Sequence, residues 1–168
     1  DGPAELHDLY RYNKGNKPTF ARVMAAVALL HQHKIVFNAL CVVNRSNSQR
    51  PLDVYRFLRD QVRPRIIQFT PGMEQRDFRS VAPGHWDWDK LPRLGSSAAT
   101  PGNPDSVVAD WSVAPEDWGT FLTTVWDEWM QRDFGRVFVD QFENVLSQLL
   151  GRGPQKCVNG RICGKALA

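Results

Sequence analysis

The sequence predicts an α/β fold in which helices alternate with the strands of a parallel sheet. Two segments rich in β-branched and other apolar residues, 35–43 and 65–69, each follow a segment with helical periodicity. The links between these segments are short, which is typical of repeated helix–strand units. Apolar residues make up 42% and charged residues 23% of the 168 residues, a composition that supports a hydrophobic core in a globular domain.

The first half of the chain supplies the predicted helix–strand units. A short helical turn is expected over 5–11, and a longer helix begins near Thr19, a residue type suited to an N-cap. The apolar face of that helix repeats at three and four: Phe20, Val23, Met24, Val27 and Leu30. The strand over 35–43 is apolar almost throughout, which predicts burial on both faces. Pro51 fits the first turn of the next helix. Its buried side is either Leu52, Tyr55 and Leu58 or Val54, Phe57 and Leu58.

The second half begins with a segment, 70–111, that is rich in proline and has little periodicity. Compact domains seldom leave so long a stretch without structure, so it is either functional or mobile. Its most apolar point is Trp86–Asp87–Trp88, which either anchors the segment to the body or lines a substrate cleft.

Two helices follow. The first begins at Pro115 and has the strongest helical pattern in the chain. Its predicted core face is Trp118, Phe121, Leu122, Val125, Trp126, Trp129 and Met130. A short extended link is expected over 135–139. The last helix buries Phe142, Val145, Leu146, Leu149 and Leu150 and ends at Gly151.

Composition and charge disfavour several classes of function. The net charge of +3 comes from basic residues spread along the chain, which does not favour nucleic-acid binding. No apolar run approaches the roughly 20 residues that span a bilayer. Three cysteines, an odd number, argue against a secreted disulfide framework and fit a reducing, cytoplasmic compartment.

The cysteines near the end of the chain are the main candidates for metal binding. Cys157 and Cys163 lie in a loop that also contains Gly160 and Gly164. Two thiols do not complete a zinc or iron–sulfur site, so the pattern is either half of a site or an ordinary loop. Cys41 lies in the middle of a strand and is interpreted as a small core residue.

Other candidates follow from their places in the predicted sheet. Asn44 and Glu74 come just after the two strands, and the carboxyl ends of parallel strands are where barrel active sites are built. Gln68 is a polar residue within a strand and needs a partner if it is buried. His31 and His33 are two residues apart on a helix, so they do not form a metal-binding pair, and both are expected to be solvated.

Several segments, taken in order, resemble the anaerobic sulfatase-maturating enzymes, radical S-adenosylmethionine proteins with a cluster-binding extension of the SPASM type. No single segment decides the resemblance, but the ordered set is specific. The matching segments are Asp1–Arg11, Phe37–Asn44, Pro51–Leu58, Ile67–Phe69, Asp133–Val139, and Cys157 to Gly164.

The resemblance implies the C-terminal half of a (β/α)6 partial TIM barrel of the radical S-adenosylmethionine type, followed by helices that lead into a truncated SPASM domain. Residues 1–110 would run from the end of barrel strand 4 to strand 6 and include the long loop. Residues 111–151 would form a helical linker region, and 152–168 the start of the auxiliary-cluster domain. The family's C-x3-C-x2-C motif would precede Asp1. Further cluster cysteines, and an aspartate that acts as a base towards the substrate side chain, would follow Ala168. The chain alone is therefore expected to be an inactive internal fragment.

The resemblance also implies an activity, cofactors and partners. The activity is oxidation of a sulfatase cysteine or serine to Cα-formylglycine, with S-adenosylmethionine and [4Fe–4S] clusters as cofactors. Cys157 and Cys163 would bind the first auxiliary cluster, Arg11 would pair with the carboxylate of S-adenosylmethionine, and Leu40 would pack near its adenosyl part. No catalytic residue is expected within these 168 residues. The expected partners are a sulfatase polypeptide and an electron donor or acceptor protein, with no nucleic acid and no membrane.

One departure from the family leaves the substrate open. The family usually has Ile-Gln-Phe-Ile-Pro after the sixth strand, whereas this chain has Ile67-Gln-Phe-Thr-Pro-Gly-Met-Glu74 and then a long loop. Two alternatives therefore stay open: another SPASM-type peptide maturase, or a binding domain whose loop cysteines hold zinc or nothing.

Overall fold

Three parallel strands with helices packed on one of their faces form the body of the protein. The computed structural model describes residues 1–78, 91–156 and 159–160. The predicted parallel α/β arrangement is confirmed, with the strands in the order β1-β2-β3. The helices and strands are α1 (Ala4–His7), α2 (Phe20–Gln32), β1 (Ala39–Val43), α3 (Pro51–Phe57), β2 (Ile66–Pro71), α4 (Pro115–Arg132), β3 (Phe138–Val139) and α5 (Asp140–Leu149). A π-helical turn, Leu58–Val62, extends α3, and short 3-10 turns cover Asn47–Gln49 and Ser97–Ala99.

The two faces of the sheet differ in burial. Side chains alternate between the faces of a strand. One face consists of almost fully buried residues: Cys41, Val43, Ile67, Phe69 and Val139. The opposite face includes Leu40, which is 67% exposed, and Gln68, its partner in the register. The prediction that the first strand is buried on both faces is therefore wrong, because Leu40 on the second face is largely exposed. The strand is also shorter than predicted, and Ile35 and Val36 before it are exposed.

The core lies between the buried face of the sheet and helices α3 and α4. The predicted core face of α4 is confirmed for Phe121, Val125 and Trp129, which are buried, whereas Met130 at its end is 39% exposed and was wrongly included. The ring of Phe121 meets that of Phe69 from β2 edge-on, with 5.1 Å between centroids. For α3, the structure buries all members of the second predicted set, Val54, Phe57 and Leu58, and adds Tyr55 from the first.

Two predicted helices differ from the structure in the residues that they bury. Helix α2 forms where expected, but Val27 is its one buried residue and Val23 is 44% exposed. On α5, Val145, Leu149 and Leu150 are exposed, while Phe142 and two polar residues, Asn144 and Ser147, are buried. Helical periodicity identifies an apolar face but does not show which element covers it.

The predicted link over 135–139 contains strand β3, which pairs in parallel with the start of β2. The side chain of Gln141 extends this pairing beyond the strand. Its Nε2 donates to the carbonyl oxygen of Phe69, and its Oε1 accepts from the Phe69 amide at 3.3 Å. A side-chain amide thus takes the place of a further residue of β3. None of the described helices combines the length and apolar character needed to span a membrane.

Candidate functional site

The segment that joins α1 to α2 is held by hydrogen bonds from side chains. Asp8 Oδ1 accepts the amide hydrogens of Thr19 and Phe20, both at 2.9 Å, and so caps the start of α2. Thr19 occupies the N-cap position as predicted, but its side chain does not cap the helix. Its hydroxyl donates instead to the carbonyl oxygen of Arg11 at 2.7 Å. The fold of the loop therefore fixes the backbone of Arg11.

His7 belongs to the same hydrogen-bonded cluster. Its Nε2 lies 3.1 Å from Thr19 Oγ1. Because the threonine hydroxyl already donates its hydrogen to Arg11, we assign His7 Nε2 as the donor. Burial lowers the pKa of His7, which favours the neutral ring, and the tautomer with hydrogen on Nε2 supplies this donor. The ring also meets Phe20 edge-on, with centroids 5.8 Å apart.

Asp1 ties this segment to β1. Its Oδ2 accepts from Arg11 Nε at 2.5 Å, and its Oδ1 accepts from the amide of Val42 at 3.1 Å. Its carbonyl oxygen accepts from Nδ2 of Asn47, a fully buried side chain, at 2.9 Å. Sequence reasoning missed Asn47, although an Asn-rich loop directly after a strand is a signal for such bonds.

Arg11 and Leu40, the two predicted cofactor-binding residues, line one cavity of about 430 Å³. Much of the remaining wall is apolar and comes from α2, α3 and the start of β1: Val23, Met24, Val27, Phe37, Phe57 and Leu58. Within the described part of the chain, Asp1 is the one acceptor for the Arg11 guanidinium, which is half exposed. The terminal nitrogens of Arg11 can therefore bind an anionic group. The structure brings the two residues together, and their role remains a prediction.

Other predicted residues have structural roles. Asn44 Oδ1 accepts from the amides of Ser46 and Asn47, at 2.9 and 3.1 Å, and so stabilises the turn after β1. Cys41 is fully buried, as expected of a core residue, and burial raises the pKa of its thiol to about 11. His31 is not simply solvated, because its Nε2 lies 2.9 Å from the carbonyl oxygen of Val62.

The predicted metal ligands, Cys157 and Cys163, lie outside the described residues, as does Trp86–Asp87–Trp88. Where the structure describes the chain, no three His, Cys, Asp or Glu side chains are arranged to hold a metal ion. The metal-binding role of the two cysteines therefore stays a prediction.

A charged network between α3 and α4 was not predicted. The hydroxyl of Tyr55 donates to Asp133 Oδ2 at 2.9 Å, and Arg59 Nη1 donates to the same oxygen at 2.9 Å. Arg56 Nε donates to Glu128 Oε1 at 3.0 Å. The charged members of this network line a cavity of about 630 Å³, but their charges are satisfied by one another. We interpret the network as a structural link between the two helices.

The chain is similar over almost its whole length to proteins of known name. No protein-family model matches the chain. A serine-type anaerobic sulfatase-maturating enzyme of Bacteroides thetaiotaomicron is 39% identical over 166 residues, which is 99% of this chain and 37% of that protein. The chain is a homologue of anaerobic sulfatase-maturating enzymes. The resemblance predicted from the ordered segments is thus confirmed. A cysteine-type sulfatase-maturating enzyme of Clostridium novyi is 30% identical over 166 residues, 97% of this chain and 37% of that protein.

Solved structures of anSMEcpe share the fold of this chain over the part that matches it. Native anSMEcpe with bound AdoMet matches with a TM-score of 0.69 and 24% identity, covering 94% of this chain and 36% of that one. The same protein with bound AdoMet and the Cp18Cys peptide matches with a TM-score of 0.66 and 24% identity, covering 94% of this chain and 37% of that one. The chain spans about 37% of the length of the curated relatives it matches.

Proposed function

We propose that the chain is the central part of a radical S-adenosylmethionine enzyme that oxidises a serine or cysteine of a sulfatase to Cα-formylglycine. The observation that carries the proposal is the 39% identity to a serine-type sulfatase-maturating enzyme across 99% of the chain. The whole activity belongs to the longer protein, because the matched relatives extend well beyond the aligned region.

In this proposal the parallel sheet is the C-terminal half of a (β/α)6 partial barrel. Residues 1–110 belong to the barrel, 111–151 form the helical region after it, and 152–168 begin the SPASM domain. Both boundaries fall outside the helices and strands, which supports the division. Parallel strands are usually covered on both faces, so the open face that carries Leu40 is consistent with a sheet that curves around an interior.

The cavity beside Arg11 fits S-adenosylmethionine in its chemistry. The cofactor has a carboxylate that the terminal nitrogens of the Arg11 guanidinium can bind as a charge-assisted pair. Its adenosyl part would pack on the exposed side chain of Leu40. When bound, S-adenosylmethionine supplies the oxidant that removes a hydrogen atom from the target residue.

The protein's own contribution at this site is positioning. Asp1 holds Nε of Arg11, which orients the guanidinium and leaves its other edge for the cofactor. The hydroxyl of Thr19, held in turn by His7, fixes the carbonyl oxygen of Arg11. A group held by hydrogen bonds on both its backbone and its side chain loses little entropy when a ligand binds.

Cys157 and Cys163 are proposed as two ligands of an auxiliary [4Fe–4S] cluster. Thiolates spaced in this way in a Gly-containing loop can reach one cluster, and the other ligands would come from the longer protein. The buried, protonated thiol of Cys41 is unsuited to that role. The partners we propose are a sulfatase polypeptide and an electron donor or acceptor protein, in the cytoplasm.

The test uses the full-length protein, reconstituted without oxygen with iron and sulfide. We expect 5′-deoxyadenosine to form from S-adenosylmethionine, and mass spectrometry to detect conversion of a sulfatase-derived peptide to the formylglycine aldehyde. Parallel peptides with serine or cysteine at the target position identify which residue the enzyme accepts. Absence of both products with a fully loaded protein would contradict the proposal.

A matched pair of variants tests the cofactor site. Arg11→Ala should weaken S-adenosylmethionine binding by about tenfold or more, because a charge-assisted pair is lost. Arg22→Ala removes an equal charge from the exposed surface of α2 and should leave binding unchanged. Equal effects of the two variants on S-adenosylmethionine binding would contradict the assignment of Arg11 to the cofactor site.

A further inference from the structure

Three polar side chains form a stripe along α5, a helix whose predicted buried face was apolar. Asp140, Asn144 and Ser147 stand at positions i, i+4 and i+7, which lie on one side of a helix. Asn144 is 3% exposed and Ser147 is 6% exposed. Burial of a polar side chain is costly unless it forms hydrogen bonds, so the partners of this polar stripe indicate what it does.

The partners belong to the segment that follows the helix. Ser147 Oγ donates to the carbonyl oxygen of Gly153 at 3.0 Å. Asn144 Oδ1 accepts from the amide of Gln155 at 2.9 Å. Residues 150–156 form neither helix nor strand, so side chains of α5 supply hydrogen bonds that a regular element would form within itself. Later residues of the segment bind earlier residues of α5, and the segment therefore runs back along the helix.

The polar stripe brings the segment to the carboxyl end of β3. Lys156 Nζ donates to Oδ2 of Asp140, the residue that directly follows Val139 of β3. The start of α5 is itself fixed to the sheet, because the side chain of Gln141 pairs with the backbone of Phe69. The carboxyl ends of parallel strands are where α/β proteins build their active sites. The segment is thus held at the end of the strand that suits a functional group.

We propose that Asp140, Asn144 and Ser147 are positioning residues for the auxiliary [4Fe–4S] cluster. Cys157 directly follows Lys156, so the amide that Asn144 holds belongs to a residue at most about 7 Å along the backbone from the cysteine. A ligand whose backbone is held before the cluster arrives loses less entropy on binding. The proposal deepens the proposed function and rests on it, since the role of Cys157 as a ligand is part of that function.

The chemistry of the donor set fits this role. Thiolates are the usual protein ligands of iron–sulfur clusters, and Cys157 and Cys163 supply two from one loop. Residues that orient metal ligands through hydrogen bonds, without touching the metal, commonly change metal affinity by 10- to 100-fold when they are replaced. The polar stripe would act in this way through the backbone before Cys157.

The test uses the full-length protein, reconstituted without oxygen with iron and sulfide. Cys157→Ser identifies the iron and the electron paramagnetic resonance signal that belong to the auxiliary cluster. Asn144→Ala and Ser147→Ala each remove one bond to the segment, and both residues are uncharged, so their loss leaves the local charge unchanged. We expect each variant to release that iron to a chelator about tenfold or more faster. Formation of 5′-deoxyadenosine, which the proposed function assigns to another cluster, should be unchanged.

Controls separate positioning of the cysteine from stability of the helix. Gln148→Ala removes an exposed amide from α5, which donates to the carbonyl oxygen of Asn144 within the same helix at 3.3 Å. This variant should release iron at the rate of the unaltered protein. Ser147→Thr keeps the hydroxyl and should restore the slow release that Ser147→Ala loses. The Ser147 pair decides the question if circular dichroism shows that Asn144→Ala does not fold.

The outcomes distinguish this inference from the proposed function. The inference fails alone if Cys157→Ser loses cluster iron but Ser147→Ala and a folded Asn144→Ala release iron no faster than the unaltered protein. It also fails if these variants lose all clusters equally, since the polar stripe would then only stabilise the fold. The proposed ligand role of Cys157 fails if Cys157→Ser keeps its full iron content. The proposed activity fails if the fully loaded protein converts no peptide.

Discussion

Replacement of Tyr55 by phenylalanine should destabilise the chain by about 2 kcal/mol, within the range for a hydrogen bond to a charged group. The hydroxyl of Tyr55 is the donor in a 2.9 Å hydrogen bond to Asp133, and the side chain is fully buried. Burial is the main reason that the pKa of Tyr55 lies above its usual range, so the hydroxyl keeps its proton and remains a donor. The aromatic ring still packs in the variant, so the loss reports the hydrogen bond and not a cavity.

Arg59 limits the size of this effect. It donates to the same oxygen of Asp133 at 2.9 Å and therefore keeps the carboxylate partly satisfied in Tyr55→Phe. Arg59 also lies over the Tyr55 ring, 5.6 Å from its centroid, and phenylalanine preserves that contact. The double variant Tyr55→Phe/Asp133→Asn should lose less unfolding free energy than the two single variants lose together, because the two residues share one interaction.

The assay is urea unfolding of the 168-residue chain followed by near-ultraviolet circular dichroism. Tyr12→Phe is the control: it deletes the same hydroxyl from a side chain that is 58% exposed and should change stability by less than about 0.5 kcal/mol. If Tyr55→Phe is no more destabilising than Tyr12→Phe, or if the double variant is simply additive, the link between α3 and α4 does not depend on this bond.

Further predictions concern four single positions. Gly72→Ala should destabilise the chain by about 1 to 3 kcal/mol through overpacking, since the added Cβ would lie 2.8 Å from a side-chain carbon. Gly119→Ala on α4, where the added Cβ meets nothing within 4 Å, should instead stabilise it by about 0.5 to 1 kcal/mol, and denaturant unfolding of both variants checks the opposite signs. Cys41 should resist iodoacetamide at pH 8 until the chain is unfolded, because burial raises the pKa of its thiol to about 11; rapid labelling of the folded chain, detected by mass spectrometry, would contradict this. Burial lowers the pKa of His7, so the unfolded chain binds the proton more tightly and the free energy of unfolding should fall as the pH drops from about 6.5 towards the lowered pKa. His7→Gln should remove that part of the pH dependence, and an unchanged profile in thermal unfolding would show that His7 does not contribute.

Long apolar patterns made much of the fold predictable. Contacts that single side chains make between distant segments could not be predicted from such patterns. Helix α4 could be located because its apolar face repeats over 18 residues. Strand β3 has two residues and no pattern of its own, and its pairing depends on β2. The cap of α2 comes from Asp8, eleven residues before the amide of Thr19 that it binds, so local cap rules pointed to the wrong side chain.

The candidate site could be predicted only in part, because some of its contacts join residues that are far apart in the sequence. The ordered resemblance identified Arg11 and Leu40, and the structure places both at one cavity. Asn47 was missed because its role depends on a contact with Asp1 far along the chain. Glu74 was identified by its place after a strand, but the buried Oε1 of Gln75, which has no hydrogen-bond partner among the described residues, could be found only from three-dimensional packing.

The outer edge of β1 has an unusual set of hydrogen bonds. On its inner side, the carbonyl oxygens of Phe37 and Val43 accept from residues at the two ends of β2, at 2.8 and 2.7 Å. On its outer side, the amide and carbonyl groups of Val42 bond to side chains, at 3.1 and 2.9 Å. Backbone groups of a parallel strand point alternately to its two edges, so those of Leu40 face the outer edge, where no described strand pairs with them.

Hydrogen exchange can test whether another strand completes this edge. In the 168-residue chain, the Leu40 amide should exchange about 100-fold faster than that of Cys41, which points towards β2, because exposed strand edges open at little cost in free energy. In the full-length protein, slow exchange at Leu40 would mean that a strand from outside these residues pairs with β1, as the proposed barrel requires. Equally slow exchange of both amides in the shorter chain would mean that the edge is already covered, and rapid exchange of Leu40 in the full-length protein would contradict the barrel.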